Sequence, residues 1–228
     1  MILGLIPARS GSKRIKNKNI YELNGKPLIQ YTIEAAKNSK LLDDVIVSTD
    51  SKRIAEIANN FNINVPFLRP KKLSGDKIEM IEVIKHVVKK KKFKKINLIM
   101  LLQPTSPLRT NIDIDKSIKL FSLKRADTLV SVTNKKNIKN KKKIMIEKNG
   151  YLSFFNDKID FYSRNKNHLI RNGPAILITK KSLILKDKIY GKKIIPYKMK
   201  KNVSVDINQS SDLRILKKYL KKKWKEIL

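Results

Sequence analysis

Through the first 132 residues, short apolar runs alternate with stretches of helical period, and that order is the signature of a mostly parallel sheet with helices on both faces. Ile2 to Ile6 reads as the first strand, and a loop of about 20 residues follows it. Pro27 then opens a helix with Leu28, Tyr31, Thr32, Ala35 and Ala36 on one face. Val45 to Ser48 is the second strand, and either Asp50 or Ser51 can cap the helix beyond it, where Ile54, Ile57, Ala58 and Phe61 keep helical spacing. A short strand over Val65 to Leu68 precedes a helix through Met80, Ile84, Val87 and Val88. A central strand runs from Ile96 to Leu102, a helix carries Ile114, Ile118 and Phe121, and the strand Thr128 to Val132 closes the regular part.

From Asn134 to His168 the period breaks down, lysines crowd together, and Tyr151, Phe154, Phe155, Phe161 and Tyr162 gather within a dozen positions. An isolated hairpin is marginal in water, so these rings are expected to pack on the domain or on a second subunit. Residues 134–168 therefore read as a small protruding arm on a single domain spanning 1–228. Strand character returns at Ala175 to Ile178, and Asp212 to Ile227 reads as a closing helix with Leu213, Leu216, Leu220 and Ile227 inward.

The formal net charge of +34 would by itself suggest a polyanionic partner such as nucleic acid. Lysine supplies 44 of the 53 basic residues and Ile and Asn are also abundant, as an AT-rich coding sequence produces whatever the function. The basic run from Lys89 to Lys95 holds one aromatic, Phe93, and so lacks the series of stacking rings that a single-strand binder needs. The absence of cysteine excludes disulfides and Cys-bound zinc and fits a reducing, cytoplasmic setting. The start, Met1 to Pro7, reads as a buried strand rather than a secretion signal. The densest apolar stretch, Ile96 to Leu102, is about 7 residues where a membrane span takes roughly 20.

Three clusters carry chemistry. After the first strand stands Ala8-Arg9-Ser10-Gly11-Ser12-Lys13-Arg14, continuing to Lys18-Asn19, in the place where open α/β sheets bind ligands. Gly11 permits close backbone approach, Ser10 and Ser12 are unobstructive, and Arg9, Lys13 and Lys18 can neutralise a triphosphate. The spacing fits neither the ATPase nor the dinucleotide glycine motif. The second cluster, Leu102-Gln103-Pro104-Thr105-Ser106-Pro107-Leu108-Arg109, leaves a central strand on the same sheet edge, and its two prolines fix Gln103, Thr105 and Arg109 in place. In the third, Val203 to Asn208, strand alternation would set Asp206 and Asn208 on one face, with oxygens that suit magnesium bridging to phosphates.

Together with Gly25-Lys26-Pro27-Leu28-Ile29, Val47-Ser48-Thr49-Asp50, Pro66-Phe67-Leu68-Arg69-Pro70 and Arg171-Asn172-Gly173, these clusters resemble the N-acylneuraminate cytidylyltransferases over almost the whole chain. The resemblance implies a Rossmann-like nucleotidyltransferase sheet and transfer of CMP from CTP to an acidic nine-carbon sugar, with Mg2+ and a homodimer. It implies that Arg9, Ser10, Gly11 and Lys13 hold the triphosphate, that Lys18 offsets charge at the reacting phosphate, and that Asn19 and Arg69 face the nucleoside. Gln103, Thr105, Arg171 and Asn172 would face the sugar, and Asp206 with Asn208 the metal. Enzymes activating legionaminic or pseudaminic acid share the pattern, whereas those for ketodeoxyoctonate have a different second cluster. Three departures stand out. Asn208 replaces the family's usual aspartate, Lys77-Ile78-Glu79-Met80 follow Asp76 where small hydroxyl residues are common, and the stretch between Arg164 and Arg171 is about two residues short.

Overall fold

The computed structural model describes residues 1–134, 143–155, 168–172 and 175–225, the last five as backbone. β1 (Ile2–Pro7) leads into a loop holding a 3-10 turn at Lys18–Ile20 and a small hairpin of β2 (Glu22–Leu23) and β3 (Lys26–Pro27). The hairpin was hidden inside the expected loop. Its turn is Asn24-Gly25, both at positive φ, which is the backbone that a two-residue turn between twisted strands requires. Next come α1 (Leu28–Lys37), β4 (Asp44–Ser48), α2 (Lys52–Asn60), α3 (Met80–Val88), β5 (Leu98–Leu101), α4 (Asn111–Leu123) and β6 (Thr128–Thr133). Beyond them lie β7 (Ile144–Lys148), β8 (Tyr151–Phe154), β9 (His168–Arg171), β10 (Leu177–Lys180), α5 (Lys181–Ile184), β11 (Ile194–Lys198) and α6 (Ser210–Lys225).

One choice left open by the sequence is settled by a hydrogen bond. Ser51, not Asp50, caps α2, its Oγ accepting from Ile54 N. Pro27 occupies the capping position before α1 rather than its first turn. Thr110 and Asp113 form a reciprocal capping box on α4, satisfying two backbone donors that a helix start otherwise leaves unpaired.

Nine strands form one sheet in the order β4-β1-β5-β10-β6-β9-β7-β8, with β11 also paired to β6. β1, β4, β5, β6, β7 and β11 run one way; β8, β9 and β10 run the other, so the sheet is mixed but mostly parallel. The strand expected over Ala175 to Ile178 is β10, which starts at Leu177 and is inserted antiparallel between β5 and β6. The expected strand over Val65 to Leu68 is not one: the segment touches the sheet only through single bridges, Ile46 to Asn64 and Thr49 to Leu68. Nor is Val203 to Asn208 a strand. It is a 3-10 turn at Lys201–Val203 followed by irregular chain, because Ile207 N bonds Thr105 O in a loop rather than in a ladder.

Helices cover both faces. Ile29, Ile33, Ile54, Ala58, Ile114, Ile118 and Phe121 from α1, α2 and α4 pack on one, and Ile84, Val87, Val88 and Ile184 from α3 and α5 on the other. A third cluster joins Leu213, Leu216 and Leu220 of α6 to Leu28, Leu108 and Ile207, so α6 clamps the loops at the carboxyl ends of the strands. Ile227 lies outside the described residues. Of the 134–168 segment, the β7–β8 hairpin is described, and it extends the main sheet through β9; Phe161, Tyr162, Arg164 and also Gly173 lie outside the described residues. No described helix is long and apolar enough to cross a membrane.

Candidate active site

At the carboxyl ends of β1 and β5 opens a cleft of about 170 Å3 lined by Pro7, Arg9, Ser12, Lys18, Asn19, Arg69, Met80, Gln103, Pro104 and Thr105. Parallel strands β1, β4 and β5 end together here, so the loops that follow them must meet. The first two sequence clusters, more than 80 residues apart in number, are thereby brought to one rim.

The loop after β1 is held from both sides. Ser10 N and Oγ donate to the two oxygens of Asp50, at 2.8 and 2.7 Å, which fastens this loop to the end of β4. Asn19 is buried, its Nδ2 donating to Arg9 O at 2.9 Å, so it shapes the loop as well as lining the cleft. Arg9 donates to Asp76 Oδ1 at 2.5 Å and to Ser74 O at 3.2 Å, while Lys13 meets the other oxygen of Asp76 at 2.7 Å. One exposed carboxylate thus engages two of the cations expected to bind phosphates, and the bonds from Lys13 and Arg9 hold it below the usual aspartate range. At Gly11 neither backbone conformation nor a protein neighbour demands glycine, since an added Cβ would meet nothing within 4 Å.

Lys18 reaches across the cleft mouth, its Nζ donating to Ile207 O at 3.0 Å. Burial lowers its pKa, nearby Asp206 pulls it back up, and Arg14 and Arg9 lower it. Arg69 is 5% exposed, and its Nε and Nη2 have no partner among the described residues. A buried guanidinium with idle donors at a cleft wall is costly unless a ligand's acceptors complete it. Burial lowers its pKa too, with Asp50 opposing.

The second cluster is braced from behind. Buried Arg109 donates from Nη1 to Ala175 O at 2.8 Å and to Gln103 O at 3.3 Å, tying the turn to the segment entering β10. Its burial brings its pKa down to about 10, with Asp113 partly compensating. Gln103 and Thr105 line the cleft, and Thr105 Oγ1 donates to Gln103 Oε1 at 3.4 Å. Ile207 N donates to Thr105 O at 2.9 Å, so the third cluster is anchored to the second.

Asp206, its side chain 15% exposed, lies 3.4 Å from Lys143 Nζ, and Asn208 Nδ2 donates to Asp206 Oδ2 at 2.9 Å. The side chains at 206 and 208 do meet, although no strand puts them there. Among the described residues no three His, Cys, Asp or Glu gather as a cage for a metal ion. A single carboxylate such as Asp206 is nevertheless a donor that magnesium can use, since that ion is commonly held by one or two carboxylates plus phosphates of a bound ligand.

Arg171 and Asn172 are not among the residues lining the cleft. Arg171 donates to the Tyr190 hydroxyl at 2.8 Å and stacks beside Phe154 and Tyr190. Asn172 is buried and accepts from Ser131 Oγ at 2.7 Å, while its Nδ2 faces Met199 Sδ. His86 is an edge-on neighbour of Phe67 in α3, with its pKa lowered chiefly by burial; it too stands outside the cleft lining. Sequence reasoning missed Asp50, Asp76 and Met80 as site residues. Asp50 had a signal, since it follows the β4 strand on the rim shared with the first loop; Asp76 and Met80 had none without the path of the 70–80 loop.

A family model described as Cytidylyltransferase matches residues 3–226. The chain belongs to the cytidylyltransferase family. It is 37% identical over 221 residues to an N-acylneuraminate cytidylyltransferase of Escherichia coli, covering 94% of this chain and 51% of that protein. It is 39% identical over 136 residues to a CMP-N,N'-diacetyllegionaminic acid synthase of Legionella pneumophila, covering 58% and 57%. The chain thus spans little more than half the length of these two relatives. A Campylobacter coli protein named post-translational flagellin modification protein B is 30% identical with 97% and 96% covered. Among solved structures, a CMP:2-keto-3-deoxy-manno-octonic acid synthetase complexed with CTP superposes with a TM-score of 0.78 at 14% identity, covering 97% of this chain and 99% of that one. At that identity the likeness concerns the cytidylyltransferase fold alone.

Proposed function

We propose that this chain transfers CMP from CTP to a nonulosonic acid such as an N-acylneuraminate, releasing pyrophosphate. The reading rests on the convergence of Arg9, Lys18, Arg69, Gln103 and Thr105 around one cleft, with Asp206 drawn to its mouth by the Lys18 and Thr105 bonds to Ile207. Arg9 and Lys13 take the β- and γ-phosphates in exchange for Asp76, and the idle donors of Arg69 meet acceptors of the nucleoside. Lys18 neutralises charge growing on the α-phosphate, and Gln103 and Thr105 orient the sugar acid. The sugar's anomeric oxygen forms a bond to the α-phosphorus, the bond to pyrophosphate breaks, and the hydroxyl proton leaves to solvent. Positioning and charge stabilisation carry such a reaction, and no protein nucleophile is needed. Asp206, with Asn208 beside it, would hold a magnesium ion, which supplies positive charge to the phosphates.

The same reading includes a homodimer in a cytoplasmic setting. It is supported by β8, the last strand along the sheet's path, which carries the exposed rings of Tyr151 and Phe154. A pyrophosphate-release screen of four nucleotides against a panel of acidic sugars tests the function. Release with CTP and a nine-carbon 2-keto acid, dependent on a divalent metal, is the expected result. No release with any such acid, together with tight and strongly salt-dependent DNA binding, would return the +34 charge to the nucleic-acid reading.

A further inference from the structure

Asp50 does not line the cleft, yet both its oxygens accept from Ser10, Oδ1 from the backbone N at 2.8 Å and Oδ2 from Oγ at 2.7 Å. It stands on a firm base. Ser48 and Thr49 before it are fully buried, Ala8 N donates to Ser48 O at 2.9 Å, and Ser51 after it caps α2. A side chain carried between a strand end and a helix cap keeps its place better than one on a loop. The chain it grips has few other bonds: from Gly11 to Arg14, no backbone N–H donates a hydrogen bond among the described residues. Arg9 is tied through its side chain to Asp76 and to Ser74 O, and Asp76 is the partner that phosphates replace in the function just proposed. What then holds the chain around Arg9, beyond Ala8, is Asn19 Nδ2 on its carbonyl and Asp50 on the next residue.

The same segment reaches a second wall of the cleft. Arg69 N donates to Thr49 O at 2.6 Å, and while burial lowers the pKa of the Arg69 guanidinium, the charge of Asp50 opposes that shift. Resting on the function just proposed, we infer that Asp50 is a positioning residue for the triphosphate: it fixes the backbone at Ser10 so that Arg9 and Lys13 meet the phosphates. The two acids near these cations then act in opposite senses. Asp76 pairs with the side chains of Arg9 and Lys13 themselves, so it competes with the ligand. Asp50 commits both oxygens to Ser10 and holds the loop that presents those cations. A bystander carboxylate beside a bound polyanion would only repel it, and its removal would tighten binding. Removal of a positioning carboxylate loosens binding, so the sign of the change separates the two.

The test is calorimetric titration of CTP with magnesium, backed by steady-state kinetics with a nine-carbon 2-keto acid. Asp50→Ala should raise the Kd and the KM for CTP about tenfold, the worth of a hydrogen bond to a charged group, while the sugar KM at saturating CTP stays unchanged. Asp50→Asn keeps an acceptor for Ser10 N and should recover most of that loss. Ser10→Ala should weaken CTP binding several-fold by itself and add little in the Asp50→Ala protein, because the bond it removes is already gone there. CTP held by Asp50→Ala as tightly as by the parent or more tightly, an Asp50→Asn protein no better than Asp50→Ala, a sugar KM that rises in step with the CTP KM, or losses in the two single variants that multiply in full would each overturn the inference while the function stands. If urea unfolding shows that Asp50→Ala does not fold, Ser10→Ala decides, and an unchanged Kd for CTP in that variant overturns the inference. A parent protein that binds no CTP overturns both.

Discussion

Asp76 competes with any phosphate for Arg9 and Lys13, because all three charges meet within hydrogen-bond distance. Replacing it should free the two cations. Asp76→Asn is expected to tighten CTP binding several-fold, measured by titration calorimetry, while Arg9→Ala should lose at least about 2 kcal/mol of transition-state stabilisation in kcat/KM. Arg9 is partly exposed, so Arg9→Ala should leave the unfolding midpoint nearly where it was; normal kinetics in that variant would detach this loop from the nucleotide. The metal makes a second argument at this scale. Asn208 offers no charge and turns its amide donor toward Asp206, so the proposed ion is held by one carboxylate and by what CTP brings. Asn208→Asp should lower the magnesium concentration for half-maximal rate, and Asp206→Ala should nearly abolish turnover with the fold intact. Titrating magnesium against rate decides it: an active Asp206→Ala protein with an unchanged requirement would put the ion elsewhere.

Among the elements, the far end of the central strands depends on one carboxylate. Asp127, before β6, accepts from Lys180 Nζ of β10 at 2.6 Å and from Lys193 N ahead of β11 at 3.0 Å. Gly191 packs so closely that a Cβ there would fall 2.3 Å from Asp127 Cβ. The bond from Lys180, and then that from Lys193, hold Asp127 below the usual aspartate range. A depressed folded pKa means that its stabilisation is present above the ordinary carboxylate value and is lost as pH falls through the lower, folded one. Asp127→Asn should therefore cost about 1 kcal/mol at pH 7, and the gap from the parent should narrow as pH drops below about 4. Urea unfolding at pH 7 and below about pH 4 measures this, and a gap independent of pH would mean that the cost does not come from the ionised carboxylate.

For the whole molecule, β8 ends the sheet's path with exposed Tyr151 and Phe154, and an apolar strand edge left in water invites association. Light scattering at micromolar concentration should give the mass of a dimer, and Tyr151→Lys with Phe154→Lys should shift it toward the monomer. A monomeric mass in the parent protein would overturn the dimer.

The sequence by itself determined the strands and helices of residues 1–132 almost throughout, because apolar period is a local property: β1, β4, β5 and β6 and the helices between them follow from it. It also located the Arg9 to Asn19 and Gln103 to Arg109 loops, since a loop leaving a parallel strand must surface at the ligand edge. Only the tertiary structure decided that Val203 to Asn208 is irregular chain, that β10 enters the middle of the sheet antiparallel, and that Asp76 pairs with both Arg9 and Lys13. Each of these depends on which distant segments meet. The Thr105–Ile207 bond joins residues 102 positions apart, and the Arg9–Asp76 pair spans 67. Such pairings leave no period in the chain, and the bond from Ser131 to Asn172, 41 positions apart, is another of them.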